Sequence, residues 1–241
     1  MNEYLSVWDI AKRRDFTTGF TCKVTPEILD GNARASSPDR IVNFLDILKI
    51  DKFNNISYPE TVNRIALRMS HRDLVSNCDL LVDGTGVGEA VVDLLRERNL
   101  APIPILFTGG NDAKAVYADF GTVFGGSFRG LQAVKEWRVP KADLVAAGQL
   151  VAQQGRVRIA QGIRYADDFR TQMEGFRGKV NEATGRKKYE NENDEIHDDM
   201  VVCYLMAAWW MIQGQGAAAV KERRTTEDAT APTWEPSDNW R

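Results

Sequence analysis

Short apolar runs rich in Val, Trp, Phe and Thr open the chain, and runs of helical spacing follow them. YLSVWDI at 4–10 and GFTCKV at 19–24 read as β-strands, and the polar stretch AKRRDFTT between them predicts a hairpin. RIVNFLDILKI at 40–50 predicts a third strand after the loop GNARASSPD. Val62, Ile65, Ala66 and Met69 in TVNRIALRM recur at helical spacing, with Ser57 as a cap and Pro59 in the first turn. DLLVD at 79–83 predicts a buried strand running into GTGVG, and EAVVDLLRERN an amphipathic helix behind it. APIPILFTGG reads as a strand ending in glycines, VPKADLVAAGQLVAQQ as a helix starting near Pro140, RVRIA as a short strand and YADDFRTQMEGF as another helix. The resulting order, β-β-β-α-β-α-β-α with more helix at the end, predicts an α/β fold.

The glycine-rich segment 109–139 has weak periodicity and is expected to be a long insertion. The polar residues 178–195 read as a loop or hairpin. From 214 the low-complexity GQGAAAV gives way to a polar, Pro-containing tail, so one folded domain is expected over 1–213 and a flexible tail over 214–241. Trp234 and Trp240 in that tail suggest a docking peptide for a partner protein.

Composition narrows the function classes. With 31 Lys and Arg against 34 Asp and Glu, the net charge is −3, so the chain does not hold nucleic acid by overall basicity and must meet any polyanion locally. Cys22, Cys78 and Cys203 lack metal-type spacing and read as reduced, buried thiols of an intracellular protein. No signal peptide and no membrane span is expected.

The most unusual stretch is NDEIHDDMVVCYLMAAWWM at 193–211, where His197, Asp198 and Asp199 head an otherwise apolar helix. One aspartate is explained as an N-cap favoured by the helix dipole. Two invite a search for other acids. A three-strand meander followed by crossover units places the first strand at the sheet centre with DLLVD parallel beside it. Asp9 near the end of the first strand and Asp83 at the end of the fourth then share the edge where open α/β sheets bind ligands. If the Asp198–Asp199 helix meets that edge, three or four carboxylates crowd together, an arrangement that needs cations. Oxygen ligands without clustered Cys or His select Mg²⁺ or Mn²⁺, and a pair of such ions supports in-line phosphodiester hydrolysis.

The succession VWDIAKRRDFTT, LLVDGTGVGEAVVDLL, ILFTGG, VPKADLV, FRTQMEGF and HDDMVVCYLMA resembles the C-terminal nuclease domain of the large terminase subunit of tailed bacteriophages, over roughly residues 4–213. The resemblance implies an RNase H-like (RuvC-like) fold with a central mixed five-stranded sheet, three antiparallel strands and then parallel ones, flanked by helices. It implies that Asp9, Asp83 and one or both of Asp198 and Asp199 are the catalytic metal ligands for two Mg²⁺ or Mn²⁺ ions, with Asp15 close by. It also implies cleavage of double-stranded DNA during viral genome packaging in the cytoplasm of the infected bacterial host. The partners it implies are a packaging ATPase domain or chain, a portal and a small terminase subunit. Many family members carry glycines at the positions of Lys12 and Arg13, and this chain holds no GxxxxGK[ST] of an ATPase.

Around the aspartates, His197 is expected to orient a carboxylate or touch a phosphate, and Lys141 to face the scissile phosphate. Lys12, Arg13, Arg186, Lys187 and Lys188 are candidate DNA contacts, with a solvated charge run as the alternative for each. GTGVG is not GxGxxG, because Glu89 stands one past the third glycine, so a dinucleotide fold is disfavoured. The competing functions are a Holliday-junction resolvase or a ribonuclease on the same fold, and a catalytically inactive scaffold binding DNA or a partner.

Overall fold

The computed structural model describes residues 1–11, 16–28, 41–85, 89–110, 112–117, 134–180, 187–191 and 198–217. In chain order the elements are β1 (Tyr4–Asp9), β2 (Thr17–Ile28), β3 (Ile41–Phe53), α1 (Tyr58–Met69), β4 (Cys78–Asp83), α2 (Glu89–Glu97), β5 (Pro102–Thr108), β6 (Lys114–Tyr117), β7 (Val134–Pro140), α3 (Lys141–Gln153), β8 (Val157–Ile159), α4 (Ala166–Gly175), β9 (Phe176–Val180), β10 (Lys187–Asn191) and α5 (Asp199–Ala217).

One eight-stranded sheet runs in the order β6-β7-β5-β4-β1-β2-β3-β8. Five of the expected strands form its centre. β1, β2 and β3 pair as an antiparallel meander, β4 lies parallel to β1, and β5 parallel to β4. Three further strands widen the sheet beyond that five-stranded centre, and one of them, β8, is the short strand expected from RVRIA. β7 adds in parallel to β5, β6 returns antiparallel to β7, and β8 adds in parallel to β3. Two of these, β6 and β7, lie in the glycine-rich segment expected to be an insertion; between them, residues 118–133 lie outside the described residues. Sequence period fails for β6 because it is a four-residue edge strand of half-buried and exposed positions, too short to show alternation. β9 and β10 form a separate antiparallel hairpin in the polar stretch before α5.

Strand alternation divides the core between the two faces of the sheet. Leu5 and Val7 of β1, Leu81 of β4, Phe20 of β2 and Ile105 of β5 pack with α3, α4 and α5. Trp8, Ile10, Leu80 and Val82 point the other way, onto Val62 and Ile65 of α1 and Val91 and Leu95 of α2. Gly19, paired with Trp8 across the ladder, is required there: a Cβ would lie 2.4 Å from the indole ring.

Local chemistry fixes the helices. α1 starts as its sequence predicts, with Ser57 Oγ accepting the Glu60 N–H at 3.4 Å. From residue 200 to residue 209 α5 is apolar on every side because it is buried on every side, lying between the sheet and α3 and α4. Its approach to α3 depends on Gly148, where a Cβ would fall 2.3 Å from Leu205 Cδ2, and the Tyr204 hydroxyl donates to the Gly148 carbonyl at 2.7 Å. Trp209 and Trp210 pack edge-to-face against Trp137 of β7. Among the described residues, no helix is long and apolar enough to cross a membrane.

Candidate active site

β1 and β4 are parallel, and Trp8 stands opposite Val82, so Asp9 and Asp83 follow one step further along the same edge. Both continue the alternation of Leu5–Val7 and Leu81, which turns them toward the α3–α5 face. The two acids thus sit where the apolar pattern of that face runs out.

α3 and α5 begin at the same edge. Lys141 opens α3 directly after β7, and its Nζ stands 3.9 Å from Asp198 Oδ2. Asp198 and Asp199 lead α5, with the Asp198 carbonyl accepting the Val202 N–H at 2.9 Å, and Asp199 Oδ2 is buried. The capping explanation for the double aspartate weakens here, since the buried Gln172 of α4 accepts the Met200 N–H at 3.0 Å.

Burial pushes the Asp9 carboxyl well above the usual carboxylate range, and the charges of Asp83, Asp199 and Asp198 push it further, with Lys141 opposing them. Asp83 is also raised by burial, while hydrogen bonds from Thr85 and the charge of Lys141 work against the shift. The Thr85 N–H donates to Asp83 Oδ1 at 2.7 Å, and Thr85 Oγ1 accepts the Phe107 N–H at 2.8 Å, so the carboxylate is held by a turn tied to β5. Behind Asp9, Thr18 and Cys203 meet at 3.4 Å between hydroxyl and thiol, and burial holds the Cys203 thiol well above its ordinary range.

Four carboxylates and one ammonium therefore share one field, with two helix N-termini directed at it. Their chemistry fits a hard divalent cation, because the donors are carboxylate oxygens. The fit is one of donor chemistry and charge rather than of a preformed cage: among the described residues no group of three His, Cys, Asp or Glu stands close enough to hold a metal ion.

Lys12, Arg13, Asp15, Arg186 and His197 lie outside the described residues. Lys187 and Lys188 open β10 of the separate hairpin. Sequence reading missed Thr85, Gln172 and Thr18. Thr85 carried a local signal, since Asp-Gly-Thr is an Asx-turn pattern. Gln172 carried none, because its partner is 28 residues away in sequence.

No family model and no curated protein sequence matches the chain. The solved structures that match the chain include two of one phage nuclease. The crystal structure of the large terminase nuclease from thermophilic phage G20c superposes with a TM-score of 0.52 at 15% identity, over 86% of this chain and 81% of that one. The same nuclease with bound zinc gives a TM-score of 0.46 at 14% identity, over 86% of this chain and 80% of that one, too low to carry weight. The first likeness establishes a shared fold, the RNase H-like α/β fold expected from the sequence.

Proposed function

We propose that the chain is a divalent-metal-dependent endonuclease that hydrolyses phosphodiester bonds of double-stranded DNA, the cleavage module of viral genome packaging. One observation carries the reading: Asp9, Asp83, Asp198, Asp199 and Lys141, from β1, β4, α5 and α3, gather at one strand edge of a sheet whose fold is that of a phage terminase nuclease. Asp9 and Asp83 hold fixed positions on rigid strands, and Asp198 and Asp199 approach from the first turn of a buried helix. These four would hold Mg²⁺ or Mn²⁺. When bound, a pair of such ions supplies Lewis-acid stabilisation of the attacking and leaving oxygens. Lys141 and the N–H groups of the first turns of α3 and α5 would offset the phosphate charge at the edge. Water's oxygen bonds to phosphorus as the P–O3′ bond breaks, leaving a 5′-phosphate and a 3′-hydroxyl. In this setting a packaging ATPase delivers the DNA, with portal and small terminase subunit as further partners, in the cytoplasm of the infected host. A net charge of −3 suits an enzyme whose DNA is handed to it.

The test is cleavage of supercoiled plasmid with Mn²⁺, Mg²⁺, Ca²⁺ or EDTA, comparing the parent chain with Asp83→Ala and with Asp198→Ala/Asp199→Ala. Nicking and linearisation with Mn²⁺ or Mg²⁺, absent in the folded variants, is the expected result. Equal cleavage by the variants, or cleavage in EDTA, overturns the reading.

A further inference from the structure

We infer that Arg164, Tyr165, Lys52 and Phe16 form a grip for the DNA strand that continues from the cut, two to four nucleotides away from the scissile phosphate. The inference rests on the endonuclease reading above. Strand register supplies the geometry. Asp9 pairs with Thr18, and Thr18 pairs with Lys52, so these three residues form one row across β1, β2 and β3. Residues directly opposite in a ladder share a face, so Lys52 stands on the same side of the sheet as Asp9. Two strand spacings separate them, about 10 Å. Along the duplex axis a strand rises roughly 3.4 Å per nucleotide, so that gap, laid along the axis, corresponds to about three nucleotides.

Two cations and two aromatic rings meet here. Lys52 Nζ lies 4.6 Å from the centre of the Phe16 ring and 5.7 Å from that of Tyr165, with its charge tied to Asp168 at 3.1 Å. On Tyr165, the exposed Arg164 guanidinium lies 4.7 Å from the ring centre. Among the described residues Arg164 has no carboxylate partner. Its N–H fork is thus steadied by the ring and left open at its edge, the arrangement that suits bidentate phosphate contact. The backbone adds an independent sign. Tyr165 sits at φ 69°, in the left-handed region, as the N-cap of α4 with no side-chain cap. A bulky residue there is strained, and what the strained turn accomplishes is to set the ring between Arg164 and Lys52. α4 is also the helix whose Gln172 caps α5, so the grip and the carboxylates are tied to one frame.

Binding is measured by fluorescence anisotropy with a labelled duplex of about 30 base pairs in Ca²⁺, across a salt series, for the full parent chain, Arg164→Gln and Tyr165→Asn. Arg164→Gln is expected to weaken binding roughly fivefold and to lower the salt slope by about one. Tyr165→Asn is expected to weaken it similarly while the unfolding temperature stays level or rises, because Asn accepts the left-handed conformation. Parent-like affinity and slope in both variants, with the parent chain binding and cutting DNA, overturns this inference and leaves the endonuclease reading standing. A parent chain that neither binds nor cuts duplex DNA in Mn²⁺ or Mg²⁺ overturns both.

Discussion

Neighbouring residues of β1 serve opposite ends. Trp8 faces α1 and α2, fully buried, with its indole N–H on Ser6 Oγ at 2.8 Å. Asp9 faces α3 and α5, its carboxyl forced toward the neutral form by burial and by three other acids. On the first face the apolar alternation continues to the strand edge through Ile10 and Val82. On the second it stops at Asp9 and Asp83. The two faces show that one β-strand can be optimised for packing on one side while the other carries repulsion the fold alone does not need, a stability cost typical of functional sites.

That contrast can be broken most severely from the packing side. Trp8→Ala should lose about 3–5 kcal/mol of stability, because Gly19 cannot fill the space the indole leaves. Urea unfolding followed by circular dichroism checks it, and a loss below about 1 kcal/mol would show that the face repacks. Asp9→Asn should do the reverse: a folded protein with plasmid cleavage down at least about 100-fold, the loss of roughly 3 kcal/mol of transition-state stabilisation. Single-turnover cleavage rates in Mn²⁺ measure it.

Lys141→Gln should have a smaller effect, about tenfold in rate. Because Lys141 lowers the Asp9 and Asp83 carboxyls, its removal should also move the pH–rate profile upward, which mere loss of packing would not do. The smallest effect is on stability. Asp9 and Asp83 both titrate above their ordinary 3.8 in the fold. Between that value and their raised ones, the folded chain keeps protons that the unfolded chain has lost. Their contribution is therefore complete below the ordinary range and fades as pH rises through the raised values. In EDTA, Asp9→Asn should be the more stable protein at neutral pH by about 0.5–2 kcal/mol, with the gap closing as pH falls toward 4. Calorimetric melts of both proteins from acid to neutral pH test the sign, and Mn²⁺ should raise the melting temperature of the parent more than that of the variant.

The legible parts of the candidate site were those written in local pattern. Asp83 announced itself by ending an apolar run before glycines, and Asp198 and Asp199 by standing at the head of a helix too apolar to be exposed. α1 was legible from Ser57 and Pro59, whose cap and first-turn geometry are local properties. The illegible parts depended on distant partners. Gln172 caps a helix from another helix. Lys52 enters the Asp9 row only through two strand registers. β6 has four residues, and its place at the sheet edge is given by its pairing with β7 rather than by any period of its own.

The sequence by itself determined the order of the helices, the central meander with parallel strands beside it, and the acids at strand and helix ends, because periodicity and capping act within a few residues. Tertiary structure decided that the sheet extends to eight strands, that Asp9 and Asp83 share a face with Lys141 and the start of α5, and that their carboxyls resist ionisation. Those properties arise from burial and from charges brought together across the chain, and neither exists until the helices close over the sheet.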